Sequence, residues 1–443
     1  MPTRKTEHRT RELKKKLNPA LFVGVSALVV AGAFSLLPAE WDYNDVLPVI
    51  KTEVQPSVPR VAHQETPEPL HAIYMSQCVV GTRSFRDMLV SFIESTQLNA
   101  MVIDIKDYSG TIGFPTEDPR FDSASLAHCG ARDMKDFIKS LHDKGIYVIG
   151  RVTVFQDPFY TKQFPAQAVQ SVSRPGEPWK DYKGLSFVDV SSKAYWDYIV
   201  TFSKEAYNIG FDELNYDYIR YPSDGPMKDA EYINNNRAVA LETFFKYLYD
   251  NVHPTGVKMS ADLFGYTTVL SDDLGIGQQL ERTLPYFDYV APMVYPSHYN
   301  KGFAGLSNPN NDPYKVVFTS MAEAVRRSLA PETAVRTISG EAIFKDEIIP
   351  ATADYDPSTG SGQATTTKKV ATGLYTKDVH SKLKLRPWLQ DFDYGKDYLP
   401  EDIAAQIKAT EDAGLTSWFF WDPANKYDSL RRYLTTSSTT WQN

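Results

Sequence analysis

Eight apolar, strand-like stretches recur along the chain, at 71–80, 100–107, 146–155, 211–219, 257–265, 287–296, 383–392 and 416–422. Helical patterns fill most of the gaps: 84–96, 132–145 closed by Gly145, a run ending at Gly210, 237–251, 313–329 and 400–414. The last has Pro400 near its start and Gly414 at its end, a proline-in, glycine-out punctuation that suits a helix. Hydrophobic strands alternating with helices predict a closed parallel (β/α)8 TIM barrel, here over residues 71–435. The open, doubly wound sheet is the alternative. No GxGxxG follows the first strand and no GxxxxGK[ST] occurs, which argues against it. No short-period repeat of the solenoid type is present.

The segment before the barrel differs in kind. Residues 1–19 are basic: the first 16 carry seven Lys or Arg against Glu7 and Glu12. Residues 20–37, "ALFVGVSALVVAGAFSLL", hold no charge over a length that just spans a bilayer. The basic flank predicts a signal anchor with the N-terminus cytoplasmic and the barrel extracytoplasmic. A cleaved signal peptide is the rival, and Ala31-Gly32-Ala33 has small-residue spacing for cleavage. Residues 38–70, with six prolines, read as an extended linker. Removing the +5 of the tail from a net charge of −8 leaves −13 on the rest, which argues against nucleic acid as a partner.

Residues 338–380 include "DPSTGSGQATTTKK" and read as a flexible insertion before the seventh strand. Cys78 and Cys129 are the two cysteines. Export permits a disulfide, but the expectation is a buried thiol at Cys78 and an incidental Cys129. No CxxC or HExxH occurs and the histidines are scattered, so neither metal nor cofactor is expected.

A barrel of this kind works at the C-terminal ends of its strands. Read there, the second strand delivers Asp104, Lys106 and Asp107, and the fourth Asn215, Asp217 and Arg220. The fifth delivers Ser260 and Asp262, the sixth Tyr295, the seventh Trp388, Gln390 and Asp391, and the eighth Trp421. Carboxylates beside flat aromatic rings, without a metal motif, suit glycoside hydrolysis. That chemistry needs one carboxylic acid to protonate the leaving oxygen and one carboxylate as nucleophile or base.

Strand alternation divides the fourth strand, "GFDELNYDYIRYPSDG" from Gly210 to Gly225. Glu213, Asn215 and Asp217 share one face, and Asp212, Leu214 and Tyr216 the other. The polar set is expected inside the barrel with Asp217 at the rim as the first catalytic candidate, held ionised by Arg220. Asp262 is its expected partner and Asp104 the next candidate. A salt bridge to Lys106 is the plain alternative for Asp104, and a buried ion pair with Arg220 or Lys106 is the one for Asp217. Glu213 is expected to hold Lys106 or another inner group, and Asp212 to be structural. Asp107, Asn215, Arg220, Tyr295, Trp388, Gln390, Asp391 and Trp421 are the substrate-binding candidates, Asp391 with a loop-capping alternative.

Taken together, "VIDIKDYSG", "GFDELNYDYIRYPSDG", "SADLFGY", "APMVYPSHY", "RPWLQDFDYG" and "GLTSWFFWDPANKY" resemble a bacterial glycoside hydrolase family long catalogued as a domain of unknown function. The likeness runs in order over roughly residues 71–430 and implies a glycosidase-type TIM barrel. More distantly, "GFDELNYD" is similar to the strand-four signature of the α-amylase clan. There Asp217 matches the nucleophile and Asp212 the earlier Asp, while Asn215 stands where that clan has Arg. The clan's Glu on strand five is absent, with Asp262 nearby.

Two functions fit: a membrane-anchored hydrolase of envelope or extracellular polysaccharide, or a catalytically silent glycan-binding barrel. A metal-dependent deacetylase is a third class, disfavoured by the lack of grouped histidines at strand ends.

Overall fold

The computed structural model describes residues 61–349 and 366–440. The segment 20–37 lies outside them. Among the described residues no helix is long and apolar enough to cross a membrane.

Eight parallel strands close into a barrel: β1 (His71–Met75), β2 (Ala100–Lys106), β3 (Tyr147–Thr153), β4 (Glu213–Asp217), β5 (Lys258–Phe264), β6 (Tyr289–Met293), β7 (Trp388–Gln390) and β8 (Trp418–Trp421). Each pairs with its sequence neighbours, and β8 pairs back onto β1. All eight expected strands are present, each shorter than its apolar run, and two of the ends have a plain cause. β1 stops at Met75 because Ser76 accepts from Val79 N and starts the short helix Gln77–Val80. β7 keeps three residues and begins just after Pro387, which has no N–H to donate.

Helices cover the outside. In Lys193–Ile209, Tyr195, Ile199, Phe202 and Ala206 recur on one face and are buried. Gly210 ends that helix at φ +125°, a conformation that L side chains rarely adopt, and turns the chain into β4. Two apolar clusters result. The larger lies between strands and helices, and the smaller fills the barrel with side chains such as Tyr147, Ile149, Trp388 and Phe419.

The register fixes which polar groups meet inside. Asp104 pairs with Arg151, Arg151 with Asn215, and Asn215 with Ser260. Asp217 sits opposite Thr153, and Asp262 lies two residues beyond Ser260 on β5. The inner faces of β2 to β5 therefore carry Asp104, Arg151, Asn215, Asp217 and Asp262 toward one rim. The expected alternation of β4 holds: Glu213, Asn215 and Asp217 meet Arg386, Asp262 and Arg151 inside the barrel, while the Tyr216 hydroxyl donates to Ser203 on the covering helix.

Lys106 and the two cysteines depart from expectation. Lys106 does not meet Asp104 or Glu213, because the β2–β3 register shifts between Asp104 and Lys106. That extra residue sends Lys106 to Asp157 at 2.8 Å, Thr153 O and Tyr195 OH behind the barrel wall. Glu213 meets another inner group, as expected: it pairs with Arg386 at 3.0 Å, both fully buried. Of the stretch read as a flexible insertion, residues 350–365 lie outside the described residues, and the rest holds two antiparallel strands, Ala342–Ile349 and Thr366–Thr376, the second also pairing with Glu332–Thr333. Cys78 and Cys129 are joined, with Cα atoms 4.8 Å apart, and Cys78 is exposed rather than a buried thiol.

Residues 61–70, assigned to the linker by composition, pack on the barrel base. Gln64 N donates to Asp212 Oδ1 at 2.7 Å, and the Thr66 hydroxyl lies 3.0 Å from the Tyr147 hydroxyl. Asp212 also accepts from Val148 N and lies 2.9 Å from His142 Nε2, so its role is structural.

Candidate active site

Arg151 is the hub of the rim. It rises from β3 and donates one Nη to Asp104 Oδ1 and the other to Asp217 Oδ2. Its Nε lies 3.8 Å from Asp262 Oδ2. The guanidinium sits 5.0 Å from the Trp421 ring centroid, within cation–π range. One cation thus touches all three predicted catalytic carboxylates, which arrive from three different strands.

The three acids differ in environment. Asp217 Oδ1 accepts from Tyr218 N at 2.5 Å while Oδ2 faces Arg151, so both oxygens receive donors. The peptide N–H is presented by backbone at Tyr218, whose φ of +48° bends the chain sharply out of β4. Asp262 accepts from Asn215 Nδ2 at 2.8 Å and Trp388 Nε1 at 2.7 Å, both at Oδ1. Burial, then the Asp217 charge, hold the Asp262 carboxyl well above the usual carboxylate range, against Arg151 and the two donors. Burial also raises Asp104, opposed by Arg151 and by the Tyr74 hydroxyl, which donates to Oδ2 at 2.6 Å.

A cavity of about 430 Å³ opens above Arg151, Asp217 and Asp262. Its walls are largely aromatic, with Phe264, Tyr266, Tyr295, Trp388 and Trp421. A second cavity of about 680 Å³ shares Arg151, Tyr218 and Trp421 with the first and is lined further by Asp104, Asp107 and Lys162. The two hollows therefore flank the Arg151–Tyr218–Trp421 ridge. Trp421 stacks on Tyr74 at 4.0 Å and meets Trp388 edge-on at 5.8 Å, so the ridge is braced from both sides.

The remaining predicted residues divide. Asn215, Trp388, Tyr295 and Trp421 lie at the first cavity or on its carboxylates. Asp107 lines the second cavity, where its Oδ1 accepts from Ser109 N at 2.9 Å. Gln390 is fully buried and lines neither cavity: its Oε1 accepts from the Ser297 hydroxyl at 2.9 Å and its Nε2 donates to Phe392 O. It holds the loop after β6. Asp391, one residue on, belongs to the opposite face and accepts from Leu430 N at 3.1 Å, so it caps a helix instead of reaching a ligand. Arg220 does not hold Asp217, since Arg151 occupies that carboxylate; Arg220 Nη1 donates to Tyr221 O at 2.9 Å.

Among the described residues one group gathers metal-type ligands, Cys78, His128 and Cys129, within 4.8 Å of one another. Its two sulfurs are bonded to each other, which leaves a single imidazole.

Fold and rim together define a barrel of the glycosidase type. The family described as a putative glycosyl hydrolase domain matches residues 72–375 and 351–427, and the chain belongs to it. The glycoside hydrolase domain of PgaB (BpsB) from Bordetella bronchiseptica shares the fold at 14% identity, covering 83% of this chain and 99% of that one with a TM-score of 0.52. A hypothetical protein from Ruminiclostridium thermocellum is 30% identical over 46% of this chain and 98% of its own, with a TM-score of 0.39. The α-galactosidase TtGalA of Thermus thermophilus is 10% identical, covering 85% of this chain and 66% of that one with a TM-score of 0.45. No curated protein matches the chain.

Proposed function

We propose that the chain is a membrane-anchored, extracytoplasmic glycoside hydrolase that cleaves an envelope or extracellular polysaccharide with Asp217 and Asp262. The observation that carries this reading is the unequal treatment of two acids on one cavity floor. Asp217 accepts a donor at each oxygen, while burial, and then Asp217 beside it, hold the Asp262 carboxyl well above the usual carboxylate range. Such a split is what acid and base roles require. Asp262 passes its proton to the glycosidic oxygen as the C1–O bond breaks. Asp217 then attacks C1, or takes a proton from the water that does. Asp104 acts through Arg151, which it orients from the far side.

The α-amylase clan, to which β4 has its distant likeness, places an arginine where Asn215 stands. Here Arg151 supplies a guanidinium from the neighbouring strand, and Asn215 is freed to hold Asp262. Hollows on both sides of the ridge suit a polymer lying across the carboxylates rather than a single sugar end. Anchoring rests on the basic tail and the uncharged run 20–37.

The silent, glycan-binding alternative draws on the burial of all three acids, 4%, 5% and 1% exposed for Asp104, Asp217 and Asp262. Incubating the purified full chain with a panel of polysaccharides and reading new reducing ends decides between them. Oligosaccharide release supports the hydrolase; binding without release from any of them supports the silent barrel.

A further inference from the structure

We infer that Arg220 is the receptor for an anionic substituent on the sugar chain, so that the substrate is an acidic polysaccharide, most simply one carrying uronate carboxylates. This rests on the hydrolase reading above for the word substrate, but the binding claim stands on Arg220 itself.

Six arginines among the described residues are buried: Arg86, Arg151, Arg220, Arg282, Arg327 and Arg386. Five of them meet a carboxylate within ion-pair distance, namely Asp133, Asp104, Glu242, Glu281 and Glu213 in that order. Arg220 meets none. Asp217 and Asp224 act on it only from beyond that distance. It is 7% exposed and makes one protein hydrogen bond, Nη1 to Tyr221 O, and its buried Nε has no partner. The rings of Tyr218 and Phe264, at 4.9 and 4.7 Å from the guanidinium carbon, support the plane of the cation but do not neutralise it.

A buried cation without a counter-charge is costly, and this one lines the cavity whose floor is Asp217 and Asp262. Nη1 is spent on Tyr221 O and Nε is buried, so Nη2 is the donor left for a carboxylate in the cavity through a charge-assisted hydrogen bond. The pairing around the cavity agrees: Arg151 is taken up by Asp104 and Asp217, whereas Arg220 lines the same cavity with no carboxylate within ion-pair distance, which favours a negative group there.

The test is binding by the full chain, measured by calorimetry, to three probes. These are glucuronate- and galacturonate-containing oligosaccharides, the same oligosaccharides with their carboxylates reduced to alcohols, and sulfated oligosaccharides free of uronate. Reduction is expected to weaken binding about tenfold or more, the worth of a charge-assisted contact. Arg220→Gln is expected to erase that difference and Arg220→Lys to keep part of it. Equal binding of the sulfated probe assigns the anion to sulfate ester as well as carboxylate, and upholds the receptor. Equal binding of native and reduced probes, or a difference that survives Arg220→Gln, overturns it. Should Arg220→Gln not fold, Arg220→Lys takes its place: a reduced difference between native and reduced probes upholds the receptor and an undiminished one overturns it. Binding is read without turnover. Acidic glycans bound but never cleaved would therefore sink the hydrolase reading only, and neutral glycans cleaved with no effect of reduction would sink this inference only.

Discussion

Trp388 on β7 donates its indole N–H to Asp262 Oδ1 on β5 at 2.7 Å, reaching past β6 through the barrel interior. This contact and the one from Asn215 fix the carboxyl in place and oppose the burial that raises its pKa.

The sign of the pH dependence follows. As the proton donor, Asp262 is competent below its raised pKa, and activity falls as pH rises through it. Trp388→Phe removes a donor that favours the charged form, so the alkaline limb should move to higher pH. The expected shift is roughly half a unit to one unit, the equivalent of one hydrogen bond. A pH profile of kcat/KM for both proteins checks it; an alkaline limb that stays put or moves down would count against Asp262 as the acid.

Asp391 carries a separate prediction about stability. Burial, with lesser contributions from Asp422, Asp428 and Asp393, pushes its carboxyl up to about 8. Below the unfolded-state value near 3.8 both states are protonated and the group adds nothing to the pH dependence. Above it the unfolded chain ionises first, so stability is lost as pH rises toward 8. Asp391→Asn should remove that loss and leave the protein more stable near pH 8, by on the order of a few kcal/mol, with little change near pH 4. Urea unfolding followed by tryptophan fluorescence at the two pH values measures it.

The disulfide closes a loop of 51 residues between the end of the β1 segment and the loops that follow β2. A cross-link of that span constrains the unfolded chain, and its loss typically costs about 2–4 kcal/mol. Reductant should lower the melting temperature of the wild type and leave a Cys78→Ser/Cys129→Ser variant unmoved. An identical wild-type melting point with and without reductant would show the bond to be energetically idle.

Periodicity made the barrel legible, because eight buried parallel strands leave eight near-continuous apolar runs. It also made β4 legible, since two-residue alternation separates Glu213, Asn215 and Asp217 from Asp212. Lys106 was out of reach because a one-residue register shift in β2 leaves no mark in the composition. Arg151 went unread although its signal was of the same kind as that of Asp217, a charge inside the apolar run "IYVIGRVTVF". The ion-pair choices among Arg151, Arg220, Arg386 and the buried acids depend on cross-barrel distance, which sequence spacing does not encode. Asp391 and Gln390 were read as reaching ligand from their place at a strand end. One faces the helix layer and the other is consumed by the loop after β6.

The proposed hydrolysis turns on Asp217. Comparing wild type and Asp217→Asn for release of reducing ends from a polysaccharide that the wild type cleaves tests this. Asparagine keeps the size of the side chain and a carbonyl oxygen for Tyr218 N or Arg151, so the fold and glycan binding should survive. Turnover should fall by at least about a thousandfold, the scale expected when a nucleophile or general base is lost. Full activity in Asp217→Asn on that substrate would contradict the assignment.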